Sequence, residues 1–195
     1  MAYWGLARCG VNWSTGFADH PDVKRFKDFL KEAARRKDSV TPRERMYIES
    51  FDEVMRAEQP ERSKLLLRKL HEITLQYPDD LEAASMLALT SIESGNSLGT
   101  EMIIREILRK DPDHPGAHHA RIHNWDGVFA EQAIASCEAY TRIAPRVGHA
   151  MHMPGHTYSK IGMWHEAAHS MDAATRLELR SMSERRALPF ETWNY

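Results

Sequence analysis

An apolar row recurs four times along the chain with the same internal spacing. Leu66, Leu70 and Ile73 form the first copy, Thr100, Ile104 and Ile107 the second, Ala133, Cys137 and Tyr140 the third, and Ala167, Met171 and Ala174 the fourth. A step of four and then three residues keeps all three side chains on one helix face. From copy to copy the first members advance by 34, 33 and 34 residues. A period near this length marks stacked helical hairpins, in which each hairpin buries its apolar face against the next. Pro78, Pro112 and Pro145 follow the first three copies, and a proline beyond a helix end forbids its continuation. The rows therefore mark the second helix of each hairpin. First helices are predicted at about 42–57, 80–94, 115–126 and 148–160. Turn signals at Gln59-Pro60, Gly95-Asn96, Asp126-Gly127 and Ile161-Gly162 separate them from their partners.

The pattern predicts an all-α, right-handed solenoid of stacked antiparallel helical hairpins. Residues 42–178 hold four repeats, at about 42–78, 79–112, 113–145 and 146–178. Residues 1–41 form an irregular hairpin, with helices at about 2–10 and 22–37 and a long link that contains Trp13, Gly16 and His20. Lys24, Arg25, Lys27, Lys31, Arg35, Arg36 and Lys37 read as the wet side of the second of these helices, with Phe26, Phe29, Leu30 and Ala33 as its dry side. Residues 179–195 start a further segment. The opening Met-Ala-Tyr-Trp-Gly-Leu-Ala-Arg-Cys reads like the middle of a helix, and the closing Pro-Phe-Glu-Thr-Trp-Asn-Tyr lacks a helix stop. The expectation is a fragment of a longer chain.

Composition narrows the function. The 195 residues are 42% hydrophobic and 28% charged, which suits a helical unit of this size. With 26 basic against 28 acidic residues there is no positive excess to offset phosphates, so no nucleic-acid partner is expected. No apolar run is long enough to span a bilayer, and no membrane partner is expected. Cys9 and Cys137 are the only cysteines, too few for a disulfide framework, which points to a reducing, cytoplasmic setting.

The residues at the repeat positions resemble those of the tetratricopeptide-repeat family. The last repeat is the clearest, with Gly155, Tyr158, Gly162, Trp164 and Ala167 on the family's pattern and Met171 where an aromatic is common. The earlier repeats match more loosely, through Ala84, Ala88 and the three prolines. A narrower resemblance is to a group of large bacterial tetratricopeptide-repeat proteins. It rests on Ala2-Tyr3-Trp4-Gly5, His119-x-x-x-His123 and His149-x-x-His152-Met153-Pro154-Gly155-His156. The resemblance implies the fold and a longer parent chain, and carries no activity with it. In the family the first helix of each repeat lines a concave groove.

Candidate chemistry lies with the histidines, seven of which fall between His114 and His156. His119 and His123 are four apart, as are His152 and His156, and the second pair follows the first by 33 residues. Residues four apart share a helix face, so two pairs at matching repeat positions aim four imidazoles into one volume. His149 adds a fifth. Such a nitrogen-rich set suits zinc, copper, nickel or iron rather than magnesium or calcium. Asp126 is placed to orient a ligand histidine. Glu82, Ser85, Trp125 and Ser159 are expected to line the groove. The bland alternative is that groove histidines contact a peptide or its carboxylate, or are ordinary surface side chains. Pro154, between His152 and His156, either kinks the helix or makes it begin there. His165 and His169 are expected on the convex back.

No phosphate loop, nucleophile elbow or HExxH segment is present. The expected function is a scaffold whose groove binds a peptide or protein partner, with a histidine-lined transition-metal site. The alternative is a metal-dependent enzyme, hydrolytic or oxidative, that uses the same histidines, and its catalytic residues are unknown.

Overall fold

A computed structural model describes residues 1–12, 16–17, 23–58, 61–92, 95, 97–127 and 129–185. Trp13, His20, Gln59-Pro60 and Asn96 lie outside the described residues. Among the described residues there are ten α-helices: α1 (Ala2–Arg8), α2 (Val23–Arg35), α3 (Pro42–Arg56), α4 (Glu61–Gln76), α5 (Leu81–Ser91), α6 (Ser97–Lys110), α7 (Pro115–Trp125), α8 (Ile134–Ile143), α9 (Gly148–Lys160) and α10 (Trp164–Arg185). Short 3₁₀ turns precede α3 and α8. Val11–Asn12 pairs antiparallel with Gly16–Phe17 in a two-residue bridge. The chain divides into two compact units, Met1–Thr90 and Ser91–Tyr195.

The first helices start where local chemistry tells them to. Thr41 caps α3 in a reciprocal box: its hydroxyl accepts from the Glu44 backbone N–H, and the Glu44 carboxylate accepts from the Thr41 N–H. Pro42 follows at the first helical position, where its missing N–H costs nothing. Helices α5, α7 and α9 begin three residues after Pro78, Pro112 and Pro145 respectively. In α5 the Asp80 carboxylate accepts from Ala83 N–H, and in α7 the His114 Nδ1 accepts from Ala117 N–H. At the far end of α9, Gly162 takes a φ of 79°, the left-handed turn that glycine adopts without a Cβ penalty.

In the first unit, Ala7, Leu30 and Phe51 form one core cluster with Trp4, Phe29 and Met55 against it. Tyr47, Ile73 and Ala83 form a second. The Trp4 indole N–H donates to the Tyr47 carbonyl, which ties α1 to α3. The dry side of α2 is as expected, with Leu30 and Ala33 buried.

In the second unit, Ile122, Trp125, Ala133, Cys137, Tyr140, Ala150 and Met153 make the core. All twelve members of the four apolar rows are buried except Met171, which is half-buried. Gly155 explains its place in the pattern: a Cβ there would come within 2.6 Å of the Met171 methyl, so the glycine lets α9 and α10 approach.

A carboxylate clasps α6 to α7. Glu101 is buried and accepts from Arg121 Nη2 at 2.7 Å and Trp125 Nε1 at 2.9 Å. Arg105, one turn along α6, donates to it at 2.9 Å. Asn124 Nδ2 adds a bond to the Ser97 carbonyl.

Helix α9 runs unbroken through Pro154. The reading in which the helix begins at Pro154 is thereby corrected. Gly148 to Met153 are helical, so His149, His152 and His156 share one helix. The proline has no N–H for the carbonyl one turn back, and the neighbouring packing carries the helix past that gap: Met153, Pro154 and Gly155 are all buried.

Candidate metal centre

Helices α7 and α9 are the first helices of successive hairpins and pack against each other in the second unit. On α7, positions 119 and 123 lie about 200° round the helix from Arg121 and Trp125. The face turned to the Glu101 clasp is therefore not the face that carries His119 and His123. That face meets His149 of α9.

The imidazoles form a continuous row. His123 Nε2 lies 3.1 Å from His119 Nε2, and His119 Nε2 lies 2.9 Å from His149 Nε2. The His149 and His152 rings stack with centroids 6.1 Å apart, and His152 Nε2 lies 2.7 Å from His156 Nε2. All five side chains are half-buried. Among the described residues, His119, His123 and His149 make up the group whose ligand atoms all lie within 4.8 Å of one another. Tyr140 of α8 stacks on the His119 ring at 5.6 Å and fixes its plane.

The contact between α7 and α9 is made by His149, 30 residues after His119. The two HxxxH pairs themselves stand one after the other: His119 and His123 face each other on α7, and His152 and His156 face each other on α9.

Burial lowers the proton affinity of His119, His123, His149 and His152. Desolvation first, then the charges of His123 and His149, hold His119 down to about 3. His149 is held at about 4, again by burial first and then by neighbouring histidines. His123 and His152 are lowered from the same leading cause. These four rings are thus neutral at ordinary pH, and each keeps one lone pair.

Neutral rings leave a proton-counting problem. His119 Nε2 faces two other Nε2 atoms. As a donor it can serve only one of them, and as an acceptor it offers one lone pair to two donors. A cation at the shared point could take a lone pair from each ring. Metal–nitrogen bonds of about 2.0–2.1 Å in a tetrahedral shell set the nitrogens roughly 3.3–3.4 Å apart, close to the two contacts through His119.

The remaining expected residues divide. Asp126 ends α7, and its Oδ1 is buried with no hydrogen-bond partner among the described residues. Its charge acts on His123, though no hydrogen bond joins them. Ser159 is half-buried beside the row, with its hydroxyl donating to the His156 carbonyl. Trp125, expected on the groove rim, is instead core: its indole N–H finds a buried acceptor in Glu101. Ser85 is also buried. Glu82 is exposed at a pocket of about 530 Å³ in the first unit, with Trp4, Arg8, Arg43, Tyr47 and Met86. His165 and His169 are exposed on α10, outside the row.

Two further histidines serve the architecture of α7. His114 caps α7. His118 is buried, its Nε2 donating to the Pro112 carbonyl and its Nδ1 accepting from the Ser136 hydroxyl. The Pro-x-His start of α7 was a readable sign of the first. The second depends on Ser136, 18 residues away, and left no local sign.

No family model matches the chain, and no curated protein matches it. Solved structures do. MamA of MSR-1 superposes with a TM-score of 0.57 at 15% identity, covering 92% of this chain and 94% of that one. MamA of AMB-1 is similar in two crystal forms, at a TM-score of 0.58 with 15% identity over 91% of this chain and 95% of that one, and at 0.53 with 14% over 90% and 94%. At this identity the likeness concerns the fold. The fold is all-α, a stack of antiparallel helical hairpins like that of tetratricopeptide repeats. Among the described residues no helix is long and apolar enough to cross a membrane.

Proposed function

We propose that the chain is a helical-repeat binding scaffold that carries a transition-metal ion on His119, His123 and His149. The carrying observation is the convergence of these three ring nitrogens within 4.8 Å, contributed by two helices. Imidazole donors favour zinc, copper, nickel or iron. The scaffold half of the reading rests on the fold: hairpin stacks present extended surfaces that take up peptides and proteins. A peptide or protein partner is accordingly proposed, and a cytoplasmic setting is proposed from the low cysteine count.

One observation favours a second reading. Three protein nitrogens leave a coordination position for water, which a zinc-like ion acidifies. A hydrolytic or oxidative metal-dependent enzyme is then the alternative, with Asp126 placed beside His123 to tune the ion's surroundings.

Titration of the metal-free protein with zinc, copper and nickel tests the proposal. His149→Ala is the informative variant, since it removes the ligand that joins α7 to α9. Binding should weaken by a hundredfold or more. Absence of any binding tighter than micromolar, or equal binding by the variant, overturns the metal reading and leaves the scaffold alone.

A further inference from the structure

We propose that His152 and His156 hold a second transition-metal ion, so that α7 and α9 together carry a two-metal centre. The inference rests on the three-histidine reading above and extends it along the same row.

Five imidazoles line up, but the geometry does not gather them on one point. The nitrogens of His119, His123 and His149 form one close group, and neither His152 nor His156 belongs to it. Those two instead turn their own Nε2 atoms toward each other, at 2.7 Å and with rings 75° apart. Two ring nitrogens one turn apart on a helix can share one N–H···N hydrogen bond or, with a lone pair from each, hold a cation between them.

The second pair is also anchored to the first. His149 belongs to the close group and stacks on His152 with centroids 6.1 Å apart. The unbroken course of α9 through Pro154 keeps His152 and His156 on the same face as His149. Pro154 therefore sits between two donors of one pair without separating them. Two protein nitrogens leave several positions of the second ion open. Water or an oxygen-donor ligand would complete its shell, and an oxygen lying between the two ions would touch both. The chemical class is a borderline divalent ion such as zinc or copper(II) at both places.

Zinc titration of the full chain, followed by native mass spectrometry and calorimetry, decides the matter. The expected result is two equivalents, the second weaker than the first. His156→Gln and His152→Ala should each bind one equivalent with the tight step unchanged. His119→Ala should lose the tight step. With copper(II), the native chain should show a weakened or broadened paramagnetic signal from two neighbouring ions, and His156→Gln should restore the spectrum of an isolated ion. One equivalent in the native chain, unaffected by His156→Gln, overturns the second site and leaves the three-histidine site standing. One equivalent lost equally in His119→Ala and His156→Gln means a single ion shared by the row, which also overturns it. No zinc uptake overturns both readings. Melting curves of the metal-free variants, expected within a few degrees of the native chain, separate lost ligands from lost folding.

Discussion

Replacing Glu101 by alanine removes the acceptor that three donors share. Its side chain is 5% exposed, and that of Arg121 is 20% exposed. Deleting one member of a buried pair costs about 3–5 kcal/mol, because the other charge is left uncompensated. Arg121 keeps some access to water, which lowers that figure. The Trp125 indole N–H, buried without an acceptor, adds a penalty of about 1–3 kcal/mol. The two contributions share one cavity and do not add fully, so a loss of about 3 kcal/mol is expected. For a chain of this size that lowers Tm by roughly 6–12 °C. Arg105 provides the internal control. Its side chain is 64% exposed and it pairs with Glu101 one turn away on the same helix, so Arg105→Ala should cost no more than about 0.5 kcal/mol. Urea unfolding followed by far-UV circular dichroism measures Glu101→Ala, Arg105→Ala and Arg121→Ala. The reasoning fails if Glu101→Ala lies within 1 kcal/mol of the native chain (about a quarter of a buried-pair loss), or if Arg105→Ala costs as much as Arg121→Ala.

Acidification should destabilise the metal-free chain before its carboxylates titrate. His119 and His149 are held at about 3 and about 4 in the folded state, against about 6.5 when unfolded. Between these values the unfolded chain binds more protons. The stability from keeping these rings neutral is therefore complete above pH 6.5 or so and drains away as pH falls toward 4. Melting in the presence of a chelator should show a lower Tm at pH 5 than at pH 7.5, and an unchanged or higher Tm would contradict the assigned burial. The cysteines should differ sharply in alkylation. Cys9 is exposed, whereas Cys137 is fully buried with its thiol pushed up to about 11 by burial. A mass-resolved reaction with iodoacetamide at pH 8 should add one label to the native chain and a second only in denaturant.

Much of the fold could be read from the rows that begin at Leu66, Thr100, Ala133 and Ala167, because helix faces and period are carried by local spacing. The prolines fixed where the first helices start, since each stops one helix and leaves two residues before the next. The site was legible only in part. The histidine pairs were visible as i, i+4 spacings, yet the contact between helices uses His149 rather than the pair offset of 33. Which residues meet across two packed helices depends on their axial slip, and one turn of slip exchanges one histidine for another. The Trp125 reading failed for a related reason. An indole is free to sit in the core once a buried carboxylate accepts its N–H, and Glu101 stands 24 residues away in sequence. Nothing near Glu101 marks it as a buried acid. Pro154 left two courses open, because the breaking tendency of proline is a local property and the packing that decides the outcome is not.

The contact between His119 and His149 spans 30 residues of chain and two successive hairpins. An ion seated there would be a reversible staple. Unlike a disulfide it would close and open with the supply of metal, and it would contribute stability only in proportion to the logarithm of the free ion concentration. Because the staple joins two repeats, a partner that spread α7 from α9 would weaken the grip on the ion, and the ion would weaken that partner by the same factor. Such a chain would report mechanical strain on its repeats as a change in metal affinity.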